Sequence, residues 1–375
     1  MPNTSPAPET ADRNVSIVVP TFREAANIAP LAERIDAALS GTGLEWELLL
    51  VDDDSGDGSE AVVSELSRRL PVRMVVRREP PRDLSLAVIE GIRLSRFDRL
   101  VVMDADLSHP PERIVDLLAA LDGGCDMVIG SRYAPGGSVD SSWSLYRVLN
   151  SRLATWLARP LVKCADPMAG FFATRRSALP DLRTLRPMGY KIALELMVRG
   201  RLRVREVSID FRDRSVGLSK MNWRQQIRFV RHLSRLYNHK FGSLARVPFF
   251  SAVGASGLVV DLACYLGLQW AGIEHRLARF LSFWPAVGWN WALNRGLTFS
   301  ERARQPHLGQ LAKFTASSLV GLAVNVGSYA LLTSYVDLFD RHRLLAFFCG
   351  VSLGSIVNFL VADLYVYGRR TETGH

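Results

Sequence analysis

Apolar residues fall into two patterns along this chain, and the change comes after about residue 210. In the first part they form short runs of strand length, at residues 15–19, 47–51, 72–76, 100–103 and 126–129. Helical stretches separate these runs, over about residues 25–39 and from beyond the third run to about residue 94. Strands alternating with helices predict βαβ units, a largely parallel sheet and right-handed crossovers. In the second part longer apolar runs take over, roughly 247–271, 277–299, 314–335 and 344–367. Each is about the twenty residues needed to cross hydrocarbon, and core helices rarely reach that length with so few charges. Four membrane-spanning helices are expected.

Between the two patterns, Arg224, Arg228, Arg231 and Arg235 recur at helical spacing. Ile227, Val230, Leu233, Leu236 and Tyr237 give the same helix an apolar surface. A basic amphipathic helix directly before membrane spans is expected to lie in the interface, drawn to anionic headgroups. The Arg-rich segment, then Arg302, Arg304 and Lys313, and finally Arg369 and Arg370 fall on one side of the four spans. The positive-inside rule makes that side cytoplasmic. The expected organisation is a disordered polar tail over 1–13, a soluble domain over 14–220, the interfacial region over 221–245 and the membrane domain over 246–370. The tail has no apolar core and does not read as a signal peptide. Lys and Arg number 46 against 37 Asp and Glu, and 48% of residues are hydrophobic, as an integral membrane protein with a soluble domain requires. No nucleic-acid partner is expected, and no oligomeric state is set. The four cysteines, Cys125, Cys164, Cys264 and Cys349, have no metal-ligand spacing.

The chemistry gathers at two strand ends. The fourth run delivers Asp104 and Asp106, followed by Leu107-Ser108-His109 and a Pro pair. Residues two apart in an extended segment point the same way, so the carboxylates can converge on one hard cation, Mg²⁺ or Mn²⁺. His109, next to the pair, is either a further ligand or a hydrogen-bonding loop residue. The second run opens into Asp52-Asp53-Asp54-Ser55-Gly56-Asp57-Gly58-Ser59. Asp52 and Asp53 are expected to accept hydrogen bonds from a base or ribose, as strand-end carboxylates can, while the residues after them shape a turn and helix cap. No Gly-x-Gly-x-x-Gly and no Walker-type lysine loop is present, so the common dinucleotide and P-loop readings lose support.

These residues resemble a known family. Pro20-Thr21-Phe22-Arg23-Glu24 with Asn27, the Asp52–Ser59 loop, and Asp104-Ala105-Asp106 occur in the order of the family 2 glycosyltransferases of GT-A fold. Gly130-Ser131-Arg132-Tyr133, Tyr146-Arg147, Asp166 before Ala169-Gly170-Phe171-Phe172-Ala173, Gly189 to Glu195, and Arg214 with Gly217 to Lys220 are similar to the dolichyl-phosphate (polyprenyl-phosphate) mannose synthases. Asp83-Leu84-Ser85-Leu86-Ala87, Ser108 and Met168 depart from the commonest family pattern. The resemblance implies a Rossmann-like, mostly parallel sheet, GDP-mannose as donor, a membrane polyprenyl or dolichyl phosphate as acceptor, Mg²⁺ or Mn²⁺, and inversion. It places Pro20, Thr21, Glu24, Asp52, Asp53, Asp104, Ala105, Asp106 and Lys220 at the donor. Asp104 and Asp106 would hold the metal, with Ser108 as a further metal residue.

An acceptor phosphomonoester has a second pKa of about 6, so it is already an anion and needs no base. Its approach to a negatively charged donor calls for arginines, which give bidentate, permanently charged contacts. Arg132, Arg147 and Arg214, which sit on the family motifs, are the candidates, with Ser151 and Lys220 behind them. Asp106, Arg132 and Arg214 are the expected catalytic set. In a competing mechanism Glu195 or Asp166 acts as a base on a hydroxyl acceptor. Two other functions compete: a polyprenyl-phosphate transferase using UDP-glucose or another UDP-sugar, and a non-catalytic protein handling lipid-linked sugars.

The spans repeat. Phe250, Gly257 and Asp261 align with Phe314, Gly321 and Asn325, and Asn290-Trp291 aligns with Asn358-Phe359. With Asn294-Arg295-Gly296-Leu297-Thr298-Phe299, this resembles the GtrA-like four-span module. Ala362 and Asp363 stand where that motif would repeat Asn and Arg. Asp261, inside a span, is either a functional group or an interhelical hydrogen-bond partner.

Overall fold

The computed structural model describes residues 13–140, 143–186, 189, 191–211, 223–302 and 306–368. The chain divides into two compact units between His232 and Leu233.

The first unit is built on a seven-stranded sheet. Its strands are β1 (Val15–Thr21), β2 (Trp46–Asp52), β3 (Val72–Val76), β4 (Arg99–Val102), β5 (Met127–Ser131), β7 (Phe172–Arg175) and β8 (Val204–Ser208), in the order β3-β2-β1-β4-β7-β5-β8. A short pair, β6 (Ser138–Val139) with β9 (Asp210–Phe211), lies outside it. Every residue of β1 is buried. A strand covered on both faces reads as a continuous apolar run, not an alternation, which is why these strands stand out in the sequence. All sheet pairings are parallel except those of β7, which runs antiparallel between β4 and β5.

Helices α1 (Ala25–Leu39), α2 (Ser59–Leu66), α3 (Leu84–Leu94) and α4 (Ile114–Asp122) make the crossovers. α1 buries Ile28, Leu31, Ala32, Ile35 and Leu39, the spacing of one helical stripe. α3 begins at Asp83, whose side chain accepts from the Ser85 N–H. Gly91 lets α3 lie close on the sheet, because a Cβ there would sit 2.3 Å from Val18 Cγ1. Then follow α5 (Leu145–Ala158), α6 (Ile192–Gly200) and α7 (Trp223–Phe241). α7 runs across the division between the units, and its Leu233 and Leu236 are buried.

The second unit holds α8 (Arg246–Trp270), α9 (His275–Leu293), α10 (His307–Tyr335), the short α11 (Asp337–Arg341) and α12 (Arg343–Val361). It is two helical hairpins, α8 with α9 and α10 with α12. Among the described residues, three segments are long and apolar enough to cross a membrane: Gln225–Trp270, His307–Tyr335 and Phe348–Val366. The repeat in the sequence is visible in the packing. Gly257 of α8 meets Asn290 of α9, and Gly321 of α10 meets Asn358 of α12, each glycine leaving room for the asparagine amide. Each hairpin ends in a π-helical turn, Asn294–Thr298 and Ala362–Val366. The aromatic residues that close these turns, Phe299 and Tyr367, stack at 4.3 Å. Asp261 Oδ1 accepts from the Ser282 hydroxyl on the facing helix at 2.7 Å, an interhelical tie. Asp363 accepts from both Arg246 (2.7 Å) and Arg302 (3.1 Å).

Gly91→Ala should destabilise the first unit by about 1–3 kcal/mol, the usual cost of overfilling a packed site. Thermal unfolding of the purified chain followed by circular dichroism measures it. An unchanged midpoint would mean that α3 does not need this close approach.

Candidate active site

β1, β2 and β4 are parallel neighbours, so their carboxyl ends share one edge, the usual ligand-binding edge of an open α/β sheet. In the loop that follows each of them a non-glycine residue adopts left-handed backbone: Arg23 (φ 62°), Asp54 (φ 56°) and Leu107 (φ 61°). Such residues cost on the order of 1 kcal/mol each, and strain of this kind clusters at functional edges.

Asp104 and Asp106 follow β4 with Ala105 buried between them. Asp106 is 6% exposed, and its Oδ1 accepts from the Ser108 N–H (3.1 Å) and hydroxyl (2.6 Å). Ser108 thus orients Asp106. Asp104 is more open, and the space beside it exists because residue 170 is glycine: a Cβ there would lie 3.2 Å from Asp104 Oδ2. His109 Nδ1 accepts from the Asp104 N–H at 3.2 Å, so that nitrogen is not presented to a ligand. Burial holds the His109 imidazole below its ordinary pKa, against the pull of Asp104 and Asp106. The ring stacks on Phe171 and meets Phe211 edge-on, each at 5.4 Å. His109 thus makes the loop hydrogen bond of the two readings.

Asp52 and Asp53 are both buried, and groups of the chain donate to their carboxylates. Asp52 accepts from Thr21 Oγ1 (3.0 Å), the Ser55 N–H (2.8 Å) and the Ser55 hydroxyl (2.5 Å). Asp53 accepts from Arg77 Nε (2.7 Å) and the Asp83 N–H (2.8 Å). They splice β1, β2 and the α3 cap together, because a buried carboxylate needs donors and the chain supplies them. Pro20 lies buried within β1, and Glu24 accepts from Asn27 Nδ2 at 2.6 Å at the start of α1. Arg214 and Lys220 lie outside the described residues.

Arg132, Arg147 and Ser151 are brought together by two aromatic residues. Arg132 follows β5 and forms a bidentate pair with Asp166, Nε at 2.7 Å and Nη2 at 2.8 Å, while its backbone N–H donates to the same carboxylate. Its guanidinium lies over Tyr133, Trp143 and Phe211, and the Arg147 guanidinium stands 4.0 Å from the same Trp143 ring. Tyr133 OH is 2.8 Å from Ser151 Oγ. Phe211 touches both His109 and Arg132, so a run of ring contacts joins the Asp104 loop to the arginines.

The two carboxylates considered as bases are locked away. Asp166 is fully buried beneath Arg132. Glu195, 1% exposed, bonds His232 (2.8 Å), Arg199 (2.7 Å) and the Arg186 N–H (2.9 Å). Burial pushes its pKa up, but these bonds outweigh it and keep the carboxyl below the ordinary value. Two residues emerge that the sequence reading did not single out. Trp143, the ring between the arginines, is one. Lys191, at the start of α6, is the other: burial and the nearby Arg132 charge lower its pKa to about 7, against Asp166 and Asp104.

Residues 16–183 match the glycosyl transferase family 2 model, and residues 249–367 match the GtrA/DPMS transmembrane domain. Fold and site together define a glycosyltransferase with a membrane domain. A dolichol-phosphate mannosyltransferase of Pyrococcus furiosus is 36% identical over 356 residues, 92% of this chain and 97% of that protein. The enzyme of the same name from Mycosarcoma maydis is 40% identical over 61% of this chain and 81% of its own length. A polyprenol monophosphomannose synthase of Mycolicibacterium smegmatis is 36% identical over 58% of this chain and 84% of its own length. The chain belongs to the dolichol-phosphate mannosyltransferase family.

Lys191 yields a pH prediction. With a pKa of about 7 instead of 10.5, its amine is mostly neutral at pH 8 before an anion binds. A bound diphosphate favours the ammonium and raises that pKa. Binding of a nucleoside diphosphate at pH 8 should therefore take up as much as about one proton per site, and almost none at pH 6, where the lysine is already charged. Calorimetry in two buffers of different ionisation enthalpy reads this uptake, which should vanish in Lys191→Met. Equal uptake by that variant would remove Lys191 from the anion's surroundings.

Proposed function

We propose that the chain transfers mannose from GDP-mannose to a polyprenyl (dolichyl-type) phosphate, with inversion, at the cytoplasmic face of the membrane. The observation that carries this reading is the arginine pair around Trp143, one ring contact from the Asp104 loop. A phosphate oxygen of the acceptor forms the bond to the anomeric carbon as the bond to the GDP oxygen breaks. Arg132, held rigid by Asp166, and Arg147 offset the charge of the incoming phosphate, Ser151 donates to it, and Arg214 joins them. The acceptor is already ionised, so no proton has to be removed. The paired state of Asp166 and Glu195 agrees with that.

Asp104 and Asp106 suit a hard divalent cation, Mg²⁺ or Mn²⁺. Their donors are oxygens, and Gly170 leaves room beside Asp104. Among the described residues no group of three or more His, Cys, Asp or Glu could hold a metal ion. Two carboxylates, with substrate phosphates and water completing the shell, is a common arrangement for Mg²⁺. When bound, the cation would neutralise charge on the departing diphosphate. Ser108 keeps Asp106 in position for it. In the membrane, α9 packs along α8 as the return half of a hairpin, which supports four crossings with α7 in the interface.

The purified chain with Mg²⁺ or Mn²⁺ should label a polyprenyl phosphate from GDP-mannose and not from a panel of UDP-sugars. Labelling from UDP-glucose alone would overturn the donor assignment. Asp106→Ala should lower turnover on the order of a thousandfold, the several kcal/mol that a cation supplies to charge stabilisation, while leaving membrane insertion intact. A near-normal rate would exclude Asp106 from the chemistry.

A further inference from the structure

α5 carries two stripes that the transfer reaction does not use. Leu145, Leu149, Leu153 and Trp156, each more than half exposed, follow helical spacing along one side. Beside them Arg152, Thr155, Trp156 and Arg159, at spacing 3, 1 and 3, line a cleft of about 360 Å³. Tyr133 and Ala165 close its other wall. Thr155 is 5% exposed, yet its hydroxyl has no hydrogen-bond partner. A buried hydroxyl without a partner is costly unless something else satisfies it. The backbone behind the cleft is fixed, since the Ala165 and Asp166 N–H groups both donate to Glu206.

We propose that this cleft binds the phosphodiester headgroup of an anionic bilayer lipid, at a site separate from the acceptor phosphate. Arg152 and Arg159 stand two helical turns apart and supply the charge, and the Thr155 hydroxyl supplies a short-range hydrogen bond. The exposed leucines of the same helix contact the acyl region, and Trp156 sits where the apolar stripe meets the cleft, the amphipathic position that tryptophan favours at membrane boundaries. That stripe selects a lipid over a free phosphate ion. Tyr133 joins the two sites, with its ring in the cleft wall and its hydroxyl on Ser151. A lipid held here would seat α5, and with it Arg147 and Ser151, at headgroup depth, where a lipid-borne acceptor presents its phosphate. The proposal does not depend on the sugar or the donor nucleotide.

Native mass spectrometry of the full chain in detergent, titrated with phosphatidylglycerol and with phosphatidylcholine, tests it. The double variant Arg152→Gln/Arg159→Gln should bind phosphatidylglycerol about thirtyfold more weakly, given what each basic residue contributes at an anionic surface, and phosphatidylcholine as before. Thr155→Val, which keeps the shape and charge of the wall, should lose about threefold, as for one hydrogen bond. Transfer to a short, soluble polyprenyl phosphate in lipid-free micelles should be unchanged in the double variant, which also shows that it is folded. Equal phosphatidylglycerol affinity in both variants would overturn the proposal. So would displacement of the lipid by millimolar inorganic phosphate, which marks a free-anion site. A loss of soluble-acceptor transfer in parallel with lipid binding would assign the cleft to the acceptor instead. Failure of transfer in the parent chain, by contrast, bears only on the reaction proposed above.

Discussion

The Arg132–Asp166 pair is the contact through which the sheet controls the site. Asp166 is completely buried and collects three N–H donors from one residue, the two guanidinium nitrogens and the backbone amide of Arg132. Glu206 of β8 fixes the backbone of Asp166 from the other side. A guanidinium among Tyr133, Trp143 and Phe211 would otherwise be a costly buried charge. Deleting one member of such a pair typically costs 3–5 kcal/mol, roughly, because the other is left uncompensated. What the pair secures is position, since a planar cation held on one edge can present only its other edge and its faces.

β1 to β5, helices α1 and α3, and the paired aspartates were legible because their causes are local. A parallel strand buried on both faces has to be apolar throughout, and a carboxylate two residues from another at its end is visible as spacing. β7 was not legible. Its four residues, Phe172–Arg175, lie in a stretch whose motif character hides a strand, and its antiparallel place between β4 and β5 depends on pairings from far along the chain. The inward turn of Asp52 and Asp53 was hidden for a similar reason. Nothing at Asp53 announces that Arg77 and the Asp83 amide will reach it. Trp143 and Lys191 gave weak signals: an aromatic residue shortly before Tyr146-Arg147, and a lysine inside the Gly189–Glu195 stretch. Only the fold shows that both approach Arg132.

In the membrane unit the sequence repeat and the geometry explain one another. The glycine of one helix and the asparagine of its partner recur in both hairpins because each pair solves the same problem, bringing two helix backbones together around a polar side chain. The second copy departs where Asp363 replaces a basic residue. There the acid takes Arg246 from the start of α8 and Arg302 from beyond the first π-turn, so the substitution ties the two hairpins together. Arg295, its counterpart in the first copy, bonds Gln310 instead. The symmetry is therefore structural, and the charge pattern laid on it is not symmetric.

The locked carboxylates also bear on what kind of acceptor the site can use. A hydroxyl nucleophile has to lose a proton, and a base must reach it with a lone pair to offer. Asp166 has its oxygens committed to Arg132, Glu195 has its oxygens committed to His232, Arg199 and the Arg186 amide, and His109 gives Nδ1 to the Asp104 amide. Freeing any of them would break a buried ion pair or hydrogen bond before the reaction began. An acceptor that arrives ionised avoids that cost, and its difficulty is repulsion from the donor. Two guanidiniums sharing one indole, beside a lysine whose cation an incoming anion would favour, meet that difficulty directly.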